Sequence, residues 1–103
     1  MRSDLLQRIK ISVEETAPGA IVIYYGSGAR GEDKPSSDID ILILVNSNTI
    51  SYADEKKIKY PLYDIEFESG KIISPLVLPK KQWESRHSAT PFYANVKKDG
   101  ILL

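Results

Sequence analysis

Two apolar runs, Ala20-Ile21-Val22-Ile23-Tyr24-Tyr25 and Ile39-Asp40-Ile41-Leu42-Ile43-Leu44-Val45, are joined by a glycine-rich turn ending at Gly31 and only seven further residues, so no crossover helix of a dozen residues fits before the second run. The first is short, β-branched and aromatic, and delimited by glycines. The second has almost no polar interruption. Both have the character of interior strands in a covered sheet. Whatever this chain folds into must join two such strands by one short connection.

That connection opens with Gly26-Ser27-Gly28-Ala29-Arg30-Gly31, a G-x-G-x-x-G. The dinucleotide-binding use of this pattern needs a helix to follow the loop and an acid near the end of the next strand. Here Gly31 is followed by Glu32-Asp33-Lys34-Pro35-Ser36-Ser37 and then by the second run, which ends in Val45-Asn46-Ser47-Asn48 without an acid. The phosphate loop G-x-x-x-x-G-K-[ST] fails as well: Gly26 and Gly31 have the spacing, but Glu32 stands where the lysine belongs.

Elsewhere the pattern alternates between helix and strand. Ser3 or Asp4 can cap a first helix in which Leu5, Leu6, Ile9 and Val13 recur at helical spacing, and Pro18-Gly19 stops it. Between Ser51 and Glu68, Ile58, Leu62 and Ile65 fit a helical face, whereas Leu62 to Phe67 also alternates like a strand. With Pro61 in that segment, a helix is predicted to about Tyr60 and the remainder stays open. Lys71 to Leu78 is predicted to be a strand near a sheet edge, because Pro75 lacks a donor. A final helix has Thr90 at its cap, Pro91 at its first position, Lys97 and Lys98 in its last turn, and Gly100 beyond.

A chain of 103 residues supports a single modest core, and with no internal repeat or linker, residues 1–103 read as one domain. Fourteen basic and fourteen acidic residues cancel, so charge indicates neither nucleic acid nor an anionic membrane as partner. The absence of cysteine excludes a disulfide framework and thiolate metal sites. No signal peptide and no apolar run near the roughly 20 residues of a membrane span is visible, and the chain reads as cytoplasmic.

The chemistry concentrates in Ser37-Asp38-Ile39-Asp40. On a strand, Asp38 and Asp40 project to the same side, roughly 6 to 7 Å apart at their Cα atoms, and Ile39 and Ile41 enter the other face. Two carboxylates at that spacing suit a hard divalent cation, with substrate phosphates and waters completing its shell. The structural alternative makes Asp38 the end of a turn and Asp40 a solvated strand residue. Against it, Asp40 lies inside an apolar run, where an unpaired charge is costly. His87 is the sole histidine and sits in a polar stretch, which fits an exposed or capping role. Trp83, Phe92 and Tyr93 are expected to pack the C-terminal helices onto the sheet, and Lys80-Lys81 and Lys97-Lys98 to be helix-end charges. The closing Gly100-Ile101-Leu102-Leu103 is expected to seal the core, with a docking edge as the alternative.

Taken together, a Gly-Ser loop ending one strand and a D-x-D beginning the next closely resemble the DNA polymerase beta-like nucleotidyltransferase superfamily, in particular its small prokaryotic members, the minimal nucleotidyltransferases of antitoxin type. The stretches that carry the resemblance are Gly26 to Glu32 and Ser37 to Leu42, about a fifth of the chain. The resemblance implies an α+β nucleotidyltransferase fold, a small mixed β-sheet covered mainly on one face by helices. It implies nucleotide binding by Gly26 and Ser27, and metal binding and catalysis by Asp38 and Asp40. The cofactor implied is Mg²⁺, with Mn²⁺ as the alternative, and the substrate a nucleoside triphosphate, ATP by default. The activity implied is transfer of a nucleoside monophosphate to a hydroxyl on a partner protein of the all-helical HEPN type. Two rivals are a catalytically weak nucleotide-binding antitoxin of such a toxin, and a small-molecule nucleotidyltransferase. Homo-oligomerisation stays open. Arg30 has a lesser claim as a phosphate contact. Many members carry a third carboxylate on a later strand. Aligned by apolar pattern, Ser74 holds that position here, whereas a strand beginning at Leu62 would offer Asp64 or Glu66.

Overall fold

The computed structural model describes residues 2–31, 38–86 and 88–103. His87 and the segment from Glu32 to Ser37 lie outside them.

Helix α1 (Arg2–Thr16) turns Leu5, Ile9 and Val13 into the core. It starts earlier than the sequence suggested, so Ser3 and Asp4 fall within its first turn and not at the cap position. Asp4 there still complements the positive end of the helix dipole. Past Pro18-Gly19 the chain enters strand β1 (Ile21–Tyr25) and, after the loop, strand β2 (Ile39–Val45). Helix α2 (Tyr52–Ser69) leads to strand β3 (Ile73–Pro79), followed by helices α3 (Lys80–Arg86) and α4 (Pro91–Asp99) and the two-residue strand β4 (Ile101–Leu102).

The sheet has the order β3-β2-β1-β4, with β2 parallel to β3 and antiparallel to β1, and β1 antiparallel to β4. It is the small mixed sheet of an α+β fold. β1 and β2 are interior, and β3, with Pro75, is an edge strand, as the sequence indicated. The antiparallel β1–β2 pair also gives the physical reason that the glycine pattern is not a dinucleotide loop, because that loop belongs to a parallel crossover.

Alternation along the strands divides the core in two. Ile39, Ile41, Ile43 and Val45 of β2 meet α1 and α2 on one face, with Val22 and Tyr24 of β1. Leu42 and Leu44 meet Trp83 of α3 and Val96 of α4 on the other, flanked by Ile21, Ile23 and Tyr25. With apolar cover on both sides, β2 has no face to leave polar, which explains its unbroken composition. The two long helices cover one face, and the short α3 and α4 cover part of the other.

α2 corrects the sequence reading. It runs unbroken through Pro61. Its N-cap is Ser51, whose Oγ accepts from the Asp54 amide at 3.1 Å, and Gly70 closes it in the left-handed conformation, φ 72°. An interior proline costs about 3 kcal/mol. The buried side chains of Ile58, Leu62 and Ile65 straddle it and contribute about 2 kcal/mol each, which outweighs that cost. Asp64 and Glu66 therefore lie on a helix and not on a strand. The Glu66 carboxylate instead accepts from the Ile73 amide at 2.8 Å, tying the end of α2 to the start of β3.

The C-terminal segment seals the core in part. Its backbone completes the sheet, with the Leu103 amide donating to Val22 O at 2.9 Å and Leu103 packing on the larger core, while Ile101 and Leu102 stay exposed.

Candidate active site

β1 ends at Tyr25, and its register sets Tyr25 opposite Asp40. On the other side of β2, Asp40 is in register with Ser74 of β3. Cross-strand partners project to one face, so Tyr25, Asp40 and Ser74 form a row on the α3–α4 side, beyond the apolar rows of Ile23, Leu42 and Leu76.

The chain turns sharply at the end of β1. Gly26 has φ 87°, which only glycine adopts without strain, and the turn closes through Arg30 N to Gly26 O and Gly31 N to Gly28 O, both 3.2 Å. A side chain at Gly26 would also collide with the Asp40 carboxylate, whose Cγ is 3.2 Å from where a Cβ would stand. The glycine of the Gly-Ser loop and the second acid of the D-x-D thus meet in space. Gly28 is constrained differently: a Cβ there would run into the ring of the buried Tyr24, with Cζ at 2.9 Å and the hydroxyl nearer still. Glycine at position 28 therefore leaves room for Tyr24, which packs in the core on the α1–α2 face.

Asp40 is half-buried and Asp38, one residue before the strand, is exposed. Burial raises the Asp40 carboxyl above the usual carboxylate range, and the neighbouring Asp38 charge adds to this. Burial likewise raises the Tyr25 phenol, reinforced by Asp40, so that it stays protonated and able to donate. Edge-to-face contacts run from Tyr25 to Phe92 (5.3 Å) and from Phe92 to Trp83 (5.6 Å), anchoring the wall of the site to α4 and α3.

Of the residues singled out from the sequence, the fold brings together Gly26, Asp40 and Asp38, with Ser27 half-buried in the adjoining turn and Arg30 exposed on it. Asp64 and Glu66 sit on α2, on the opposite face of the sheet, so Ser74 occupies the place beside Asp40. Tyr25, which stands opposite Asp40, carries no signal in the sequence that marks it as part of this row. Strand alternation alone would have put Tyr25 beside Asp40 only if the pairing register were known.

Two carboxylates that repel one another, one of them partly desolvated, make a place where a divalent cation relieves an existing cost. Among the described residues no cluster of three or more metal-ligating side chains forms a closed cage. The donor set fits Mg²⁺ held by two carboxylates, its remaining positions filled by phosphate oxygens and water.

The same stretch of chain carries the family relationship. No curated protein matches the sequence. Several solved structures are similar. One of them, the crystal structure of a toxin-antitoxin with AMP-PNP, superposes with a TM-score of 0.66 at 18% identity, covering 93% of this chain and 69% of that one. At that identity the similarity speaks for the fold alone. Residues 6–94, which span both motifs and the whole sheet except β4, match the nucleotidyltransferase domain family, and the chain belongs to it.

Proposed function

We propose that residues 1–103 form a single Mg²⁺-dependent nucleotidyltransferase domain that takes a nucleoside monophosphate from a nucleoside triphosphate, ATP by default, to a hydroxyl on a partner protein. The observation that carries this reading is the contact geometry of Gly26 and Asp40, in which a backbone free of any side chain lies directly against a carboxylate. That arrangement lets triphosphate oxygens approach the loop amides and the acids together. Ser27 offers its hydroxyl to the phosphates, and Asp38 and Asp40 hold the cation. Bound there, the cation neutralises charge on the phosphates and on the departing pyrophosphate. In the transfer a bond forms between the acceptor oxygen and the α-phosphorus as the bond to pyrophosphate breaks, and the acceptor proton passes to a base or to water. The similarity to a toxin-antitoxin with AMP-PNP, an ATP analogue, supports ATP and a protein partner, for which a helical toxin of the HEPN type is the proposed identity.

Ser74 favours a second reading, a nucleotide-binding antitoxin module with little turnover. It puts a hydroxyl beside Asp40 at a position from which a third carboxylate could bind metal or take the acceptor proton.

Incubation with labelled ATP and Mg²⁺, with and without the product of the neighbouring gene, followed by mass spectrometry, separates the readings. Label on the partner protein, absent when the chain is alone, is expected because transfer needs the acceptor oxygen held about 3 to 3.5 Å from phosphorus. Ser74→Asp is expected to speed that transfer. Rapid transfer to a small molecule by the chain alone would contradict the partner-dependent reading, and tight nucleotide binding without transfer in any mixture would favour the binding module.

A further inference from the structure

α2 buries Ile58, Leu62 and Ile65 and, on the opposite side of the same helix, presents Tyr52, Tyr60, Tyr63 and Phe67 to solvent at 73, 56, 40 and 90% exposure. Intervals of eight, three and four residues keep these aromatics on a single stripe. Lys56 fills the longest interval, its ammonium 4.2 Å from the centre of the Tyr52 ring, and the Tyr60 and Tyr63 rings are 6.4 Å apart. At about 200 Å² for each aromatic side chain, the four leave roughly 500 Å² of ring surface in water. A contiguous apolar patch of that size marks an interface, and with its charged flanks it approaches the ~800 Å² per partner of a stable complex.

The flank of the stripe indicates which partner. Lys57 and Asp64 are both exposed and lie on the same side of the stripe, on either side of its midpoint at Pro61-Leu62; antiparallel pairing about that midpoint leaves them about 3 Å apart along the axis, within the reach of a lysine side chain. If two α2 helices pack antiparallel about a two-fold axis through that midpoint, Tyr60 of each copy meets Tyr63 of the other, and Lys56 meets Phe67. Lys57 of each copy then faces Asp64 of the other, twice per pair. A parallel two-fold pairing would instead put the Lys57–Asp64 flanks of the two copies on opposite sides of the seam, where these pairs cannot form. We propose that the aromatic stripe of α2 is the interface of a two-fold symmetric dimer of this chain, with the two α2 helices antiparallel and Lys57–Asp64 pairs at its rim. α2 covers the Ile39–Ile41–Ile43 face, and Asp40 projects from the other. The dimer therefore leaves both candidate active sites open and directed outward, so one assembly presents two of them.

Sedimentation velocity and light scattering on the whole chain test this. The wild type is expected to pass from monomer to dimer with rising concentration, with or without nucleotide. Tyr60→Asp is expected to weaken association by about tenfold or more with an unchanged circular dichroism spectrum. Lys57→Glu and Asp64→Lys should each weaken it when measured separately, whereas an equimolar mixture of the two should recover the dimer, since every rim pair is then of opposite charge. A chain that stays monomeric at its highest soluble concentration would overturn the proposal, as would single variants that dimerise like the wild type or a mixture that recovers nothing. A monomer whose Tyr60→Asp variant fails to bind a helical partner protein would also overturn it and assign the stripe to that partner.

Discussion

Asp40 is the residue at which folding and binding pull in opposite directions. Its carboxyl is raised by burial and then by Asp38, so the folded chain holds that proton more tightly than the unfolded chain does. For an acid shifted in this direction, the charged form weakens the fold at every pH above the raised value, and the cost disappears as pH falls below the ordinary carboxylate range. Asp40→Asn removes the cost. In thermal melts with a chelator present, the variant should be more stable than the wild type at neutral pH, and the gap should close as the pH is lowered through the raised value. Mg²⁺ with nucleotide should reverse the order, because only the wild type gains from binding. A variant less stable than the wild type at neutral pH without metal would show that Asp40 is held by partners in the fold and is not poised for a cation.

At the scale of elements, α2 is the most informative. Its interior proline leaves Lys57 O without its usual intrahelical donor, and the helix persists because Ser51, Gly70 and three buried side chains hold both halves. Pro61→Ala restores the donor. It should raise stability by about 1 to 3 kcal/mol, roughly 4 °C or more in a domain of this size, without altering nucleotide affinity, since α2 covers the face away from Asp40. A loss of stability would mean that proline at this position is required for packing on α1. This is also the element that the sequence left open. Capped helices such as α4 were legible because Thr90, Pro91 and Gly100 act locally, and β1 and β2 because their composition leaves no other environment. Pro61 misled because its penalty is local, whereas the burial that offsets it depends on where β2 and β3 lie. The same limit applies to the site. The motifs that contain Gly26, Asp38 and Asp40 are visible in the sequence as a resemblance, whereas which of Asp64, Glu66 and Ser74 stands beside Asp40 depends on the β2–β3 register.

For the molecule as a whole, the sheet separates two duties. One face carries α1, α2 and the larger core, with an aromatic stripe on the outside of α2; the other carries Asp40, Tyr25 and Ser74 above the Trp83 cluster. Among the described residues no helix is long and apolar enough to cross a membrane. The functional reading rests on a loop and a strand from one end of the sheet acting as a single metal and triphosphate site, and calorimetric titration of Mg-ATP into the wild type, Asp38→Asn, Asp40→Asn and Gly26→Val tests it most directly. The wild type should bind. Each aspartate variant should lose Mg²⁺-dependent affinity beyond the roughly 10- to 100-fold that follows loss of a supporting hydrogen-bond partner. Gly26→Val should bind poorly because its side chain meets both the Asp40 carboxylate and the phosphates, and should melt lower because of its positive φ. Affinity in Asp38→Asn and Asp40→Asn equal to that of the wild type would contradict the site.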